Sequence, residues 1–130
     1  MRPFRTVELS PSLAEFGGLR FATVHSKLLG GRADVTLWAP STPKPADLPL
    51  VILLHGVYGS HWAWALKGRV HHTARRLIEA GEIPPMALAM PSDGLRGDGT
   101  AYVPLASGNY EHWIVDEVPL VAREAVPEVT

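Results

Sequence analysis

β-Branched and aromatic residues gather among the apolar positions of Arg20–Ser26 and again of Ala33–Trp38, with Gly30-Gly31 between the two runs. Such enrichment marks strands. A glycine-containing connection between two such runs predicts an antiparallel hairpin. The pattern then changes. Leu50-Val51-Ile52-Leu53-Leu54 is apolar without alternation, so it reads as a central strand covered on both faces, as in a parallel sheet. Val70, Ala74, Leu77 and Ile78 recur at helical spacing, opposed by Arg69, His72, Arg75, Arg76 and Glu79, with Gly81 as the stop. Pro85–Met90 is a second short apolar run. Strand, helix and strand in that order predict a right-handed βαβ unit. From Tyr110 onward, Ile114, Val118, Val121, Ala122 and Ala125 supply the stripe of a second helix. Asn109 stands where it can cap that helix, and Pro119 where it must kink or divide it.

The remaining stretches are connections. Residues 1–18 scatter Pro, Ser and Gly around Val7, Leu9 and Leu13 and read as an irregular lead-in with room for one short strand. Ala39–Leu48 is a proline-rich loop, and Ser92–Gly108 a long loop rich in Gly and Asp. The fold class is therefore α/β: an antiparallel hairpin followed by parallel strands with flanking helices, all within 19–130. Composition agrees, since 46% hydrophobic and 19% charged residues describe a soluble globular chain. A net charge of -1 lacks the basic excess of a nucleic-acid footprint. The absence of cysteine excludes disulfides, a thiol nucleophile and zinc-thiolate sites. No apolar run approaches the roughly 20 residues that span a bilayer, and the first residues lack a signal-peptide core. The expectation is no membrane partner and a cytoplasmic home, with a secreted form that has lost its leader equally compatible.

Candidate chemistry concentrates where the first apolar strand runs out, at His55-Gly56-Val57-Tyr58-Gly59-Ser60. Ligands of open α/β sheets bind beyond the carboxyl ends of strands. Gly56 and Gly59 would let the backbone turn tightly and approach a ligand. A preorganised N–H aimed at a developing oxyanion contributes about 3 kcal/mol to catalysis. Val57 N–H is the first candidate and Tyr58 N–H the second. An ordinary strand-to-helix turn would use the same glycines. The aromatics Tyr58, Trp62 and Trp64 favour a site, because a pocket needs an apolar wall. The second loop also leaves a strand's carboxyl end, so Asp93, Arg96 and Tyr102 are placed to line a substrate cleft. No metal site is expected: His71 and His72 are adjacent on a helix and should diverge, and Asp93–Gly99 lacks calcium-loop spacing.

Val51-Ile52-Leu53-Leu54-His55-Gly56, followed by Gly59-Ser60 and Trp62, resembles the oxyanion-loop segment of one esterase branch of the α/β-hydrolases. That branch includes esterase D (S-formylglutathione hydrolase), feruloyl and acetyl-xylan esterases, and mycolyltransferases. Leu19–Pro40 is similar to the N-terminal hairpin of these enzymes, and Pro91-Ser92-Asp93-Gly94 to their strand-end loop. Tyr110-Glu111 through Asp116-Glu117-Val118-Pro119 resembles the helix that precedes their nucleophile strand. The resemblance implies a serine carboxylester hydrolase without a cofactor. The expected oxyanion donors are the N–H groups of Val57 and Tyr58, and the expected substrate contacts are Gly56, Trp62, Asp93 and Tyr102; the resemblance implies further that His55 holds the loop and is not the catalytic base.

One element of that pattern is missing. Such enzymes carry Gly-x-Ser-x-Gly, then an acid, then a His, in that chain order. Ser60 lies in Tyr58-Gly59-Ser60-His61-Trp62 and Ser107 in Leu105-Ala106-Ser107-Gly108-Asn109, and neither is a nucleophile elbow. The resemblance therefore covers an N-terminal half, and 130 residues compare with about 200–250 for a complete domain of this kind. The expected substrate is a small-molecule or carbohydrate-linked ester, and the chain alone should be inactive. Two alternatives remain: an acyltransferase on the same fold, or a non-catalytic chain that assembles as a homo-oligomer or with a complementing C-terminal half. In the assembly reading, the 85–90 strand should carry the open sheet edge.

Overall fold

The computed structural model describes residues 3–41 and 47–130. Pro43 and Pro45 of the proline-rich loop lie outside them. Five strands form one sheet: β1 (Phe4–Leu9), β2 (Arg20–Ser26), β3 (Gly31–Trp38), β4 (Leu50–Ile52) and β5 (Ala87–Pro91). Their order across the sheet is β1-β2-β3-β5-β4. The expected hairpin is β2–β3, in register from Arg20↔Leu37 to Ser26↔Gly31. Gly30 takes φ +67° in its turn, a region that favours glycine. β3 pairs antiparallel with β5, and β4 pairs parallel with β5, joined through α1 (Val70–Glu79).

Alternation along the strands sorts side chains onto two cores. Ala22, Val24, Val35, Leu37, Ala87 and Ala89 face Trp113, Val118, Val121 and Ala122 from the C-terminal helices. Trp38, Leu88 and Met90 face Ala74 and Ile78 of α1 on the other side. Every residue of β5 is buried because both faces are covered.

Two expectations need correction. The lead-in does carry the one short strand expected there, Phe4–Leu9, but it is not set apart from 19–130: it pairs antiparallel with β2 in the same sheet. Its alternation was obscured because an outer strand need bury only part of one face, and only Phe4 is fully buried. The second correction concerns the open edge. β5 is internal, bonded on both sides, and the last strand of the sheet is β4. Leu50, Val51 and Ile52 are accordingly only half-buried rather than central. On the side of β4 away from β5, Leu48 forms an isolated parallel bridge with Val129. Leu48 N–H donates to Glu128 O at 2.8 Å, and Thr130 N–H donates to Leu48 O at 3.3 Å. Thr130 thus lies at the start of the open edge, with the chain running parallel to β4.

The C-terminal helical region begins as expected, with Asn109 Oδ1 accepting from His112 N–H at 3.0 Å. It runs as α2 (Tyr110–His112), a π-helical turn (Trp113–Glu117) and α3 (Val118–Ala125), with Pro119 in the first turn of α3. Proline has no N–H to return to the preceding turn and its ring crowds the carbonyl there, so the wider turn absorbs the misfit. The long loop holds a two-residue hairpin, β6 (Pro104–Leu105) with β7 (Gly108–Asn109). Among the described residues, no helix is long and apolar enough to cross a membrane.

Candidate active site

Beyond the carboxyl end of β4, residues 56–59 make a tight turn in which Gly59 N–H donates to Gly56 O at 3.0 Å. Tyr58, third in the turn, has φ +63°. That is the pattern of a type II turn, whose third position normally calls for glycine. The sequence pointed to Gly56 and Gly59 as the conformational enablers, yet neither has positive φ. Gly59 is needed for space instead: a Cβ there would sit 3.1 Å from both Gly56 O and His55 Nδ1. The left-handed tyrosine is backbone strain at the tip of the candidate loop, where such strain gathers in functional sites. Val57 is 71% and Tyr58 82% exposed. Among the described residues neither backbone N–H has an acceptor.

The loop is held from below by His55, which is buried. Its Nε2 accepts the Asp93 N–H at 3.1 Å, so Nδ1 carries the proton and donates to Gly56 O at 2.7 Å. With both ring nitrogens engaged, His55 is a brace rather than a free base. Asp93 is buried as well and faces inward. Its Oδ1 accepts Leu95 N–H at 2.8 Å and its Oδ2 accepts Thr100 N–H at 3.1 Å. The Thr100 hydroxyl donates back to Asp93 O at 2.8 Å. The carboxylate thus closes the 93–100 loop. The Tyr102 hydroxyl donates to His55 O, and its ring meets the His55 ring edge-on at 5.8 Å. Burial, reinforced by the Asp93 charge, pushes the Tyr102 phenol up to about 12 against the favourable His55 hydrogen bond. Arg96 does not join this network.

A cleft of about 340 Å³ opens beside the loop, lined by Leu54, His55, Gly56, Ala63, Trp64, Lys67 and Gly68. Gly56 is there as expected. Trp62 is not; it is partly exposed under the Lys67 ammonium, 5.4 Å from the ring centre. Trp64 forms the wall, its indole N–H donating to Leu54 O at 2.9 Å. The sequence missed the π-helical turn Ala63–Lys67 that brings Trp64 and Lys67 to one cleft. Its only signal was a tryptophan pair with a lysine five residues on, without α-helical periodicity.

His61 also reaches this end of the sheet. Its Nδ1 lies 2.9 Å from Thr36 Oγ1, and its Nε2 3.9 Å from Asp34 Oδ2. Burial holds its pKa below the usual imidazole value, although Asp34 opposes the shift. His71 and His72, expected to diverge, stack with ring centres 4.1 Å apart, because the Gly17 turn presses against both. No group of three or more metal-ligating side chains occurs among the described residues.

No protein-family model matches the sequence, and no curated protein matches it. Solved structures do match the fold. A ferulic acid esterase superposes with a TM-score of 0.71 at 21% identity, over 92% of this chain and 45% of its own. The enterochelin esterase of Shigella flexneri superposes with a TM-score of 0.65 at 17% identity, over 91% of this chain and 27% of its own. The S-formylglutathione hydrolase of Staphylococcus aureus gives 0.59 at 17% identity, over 96% and 43%. The chain spans less than half the length of each. Over that part it shares the fold of these esterases.

Proposed function

We propose that this chain supplies the electrophilic side of a serine carboxylester hydrolase site. Val57 N–H, with Tyr58 N–H beside it, would hold the oxyanion of a tetrahedral intermediate. The cleft walled by Gly56 and Trp64 would hold part of the ester. The observation that carries this reading is a pair of unengaged N–H groups on a strained turn at the end of a parallel strand, braced by His55 and Asp93, on a fold shared with esterases. The nucleophile, base and acid would come from a segment paired along the open edge of β4. A chain continuing past Thr130 in its present direction would run along that edge. Asp93 and Tyr102 would support this loop through their hydrogen bonds to Leu95, Thr100 and His55.

The test uses p-nitrophenyl acetate. The 130-residue chain alone gives no burst of p-nitrophenol, whereas a longer product of the same gene turns the ester over. In that longer form Val57→Pro removes one N–H, and proline suits the second position of a type II turn. The expected loss is about 10²–10³-fold in kcat. An unchanged kcat in a folded Val57→Pro variant would overturn the assignment.

A further inference from the structure

Lys67–Arg76 reads KGRVHHTARR: four permanent cations, two histidines and no carboxylate, in a chain whose net charge is -1. The structure lays these residues out unevenly. Arg75 donates to Gly17 O and Lys67 sits over Trp62. Arg69 and Arg76 have neither an ion pair nor a side-chain hydrogen bond among the described residues. His72, Thr73 and Arg76 lie on one face of α1, and Arg69 immediately precedes the helix with φ +53°. With Gly68 they line a cleft of about 370 Å³. The groove therefore brings two planar five-donor groups together with a hydroxyl and an imidazole.

This groove adjoins the candidate ester cleft. Gly68 lines both, and Lys67 in the ester cleft extends the positive charge toward Gly56. Gly68 tolerates no side chain, since a Cβ would lie 2.8 Å from Trp64 O, and that keeps the junction open. We propose that the α1 groove is an anion subsite, receiving a phosphoryl or dicarboxylate dianion carried on the far end of the ester substrate. The inference rests on the esterase reading for its ester end only. Guanidinium groups suit such a dianion because they offer paired donors and stay charged.

Backbone amide spectra of the 130-residue chain provide the test, with inorganic pyrophosphate and phenyl acetate as separate probes at 150 mM NaCl. Pyrophosphate is expected to shift the amides of 68–76 saturably. Arg69→Gln with Arg76→Gln should weaken that binding at least tenfold without altering the spectrum elsewhere, since neither side chain has a partner to lose. No saturable shift, or equal binding by the double variant, overturns the subsite. Phenyl acetate reads the other end, with expected shifts at 54–58 and 64. Phenyl acetate binding without pyrophosphate binding leaves the ester cleft standing and removes the anion subsite. Pyrophosphate binding alone removes the link between the groove and an ester substrate.

Discussion

The Asp93 backbone N–H donates to His55 Nε2 at 3.1 Å, tying the segment that follows β4 to the loop that follows β5 across the carboxyl end of the parallel pair. Through Nδ1 the same ring holds the Gly56 carbonyl, so one imidazole sets the starting angle of the 56–59 turn. His55→Ala leaves the buried Asp93 N–H unpaired and leaves Gly56 O with the Gly59 N–H alone, which costs about 1–3 kcal/mol. Urea denaturation should show that loss, and amide exchange at 56–60 should speed up. A variant as stable as wild type would show that the brace is ornamental.

Gly94 has φ +94°, and a Cβ there would fall 2.4 Å from Tyr110 Cε1. Tyr110 is buried with its hydroxyl on Ser107, so the ring has little room to retreat. Gly94→Ala should lose about 2 kcal/mol or more, from overpacking added to left-handed strain. A thermal melt checks this.

Tyr58 bears left-handed strain without compensating burial. Tyr58→Gly should therefore stabilise the fold by about 1 kcal/mol. The denaturation midpoint should rise while the Gly59–Gly56 turn persists. A fall would mean that the tyrosine ring stabilises the loop in a way its exposure does not suggest.

Glu117 is buried on the π-helical turn, where Ser26 Oγ donates to its Oε1 at 2.7 Å. Burial raises its pKa above the ordinary 4.5, outweighing the lowering effects of Ser26 and His112, while Asp116 raises it further. A carboxyl with a raised folded pKa favours the fold while protonated. Its contribution is complete below about 4.5 and is lost as pH rises through the folded value. Glu117→Gln mimics the protonated form, so its stability relative to wild type should grow with pH across that window. A pH-independent difference would contradict the assignment.

Tyr102→Phe removes the hydroxyl that holds His55 O. It should cost about 1 kcal/mol and abolish a phenol titrating near 12 in an ultraviolet pH titration. As an acid raised in the folded state, Tyr102 favours the fold below the ordinary value of 10 and loses that contribution as pH rises toward about 12.

Much of the fold was legible in local pattern. β-Branched and aromatic residues in Arg20–Ser26 and Ala33–Trp38, around Gly30-Gly31, marked the hairpin, unbroken apolar runs marked β4 and β5, and Asn109 marked its helix start, because these features need only near neighbours in sequence. The placement of β4 was not legible. Leu50–Ile52 is as apolar as a central strand, but whether both sides are covered depends on what pairs with it. The candidate site divided the same way. His55-Gly56-Val57-Tyr58 located the loop, while the inward turn of Asp93 and the entry of Trp64 into the cleft depend on hydrogen bonds to Thr100 and Leu54.

By itself the sequence determined the succession of elements, the absence of cysteine chemistry, and the position of the candidate oxyanion turn, since composition and periodicity act over a few residues. Tertiary structure decided that β4 rather than β5 bears the open edge, that a tyrosine rather than a glycine takes the left-handed position, and that His55 and Asp93 are braces. Each of those outcomes depends on which distant backbone group satisfies a buried donor or acceptor, and that is settled only when the strands have paired.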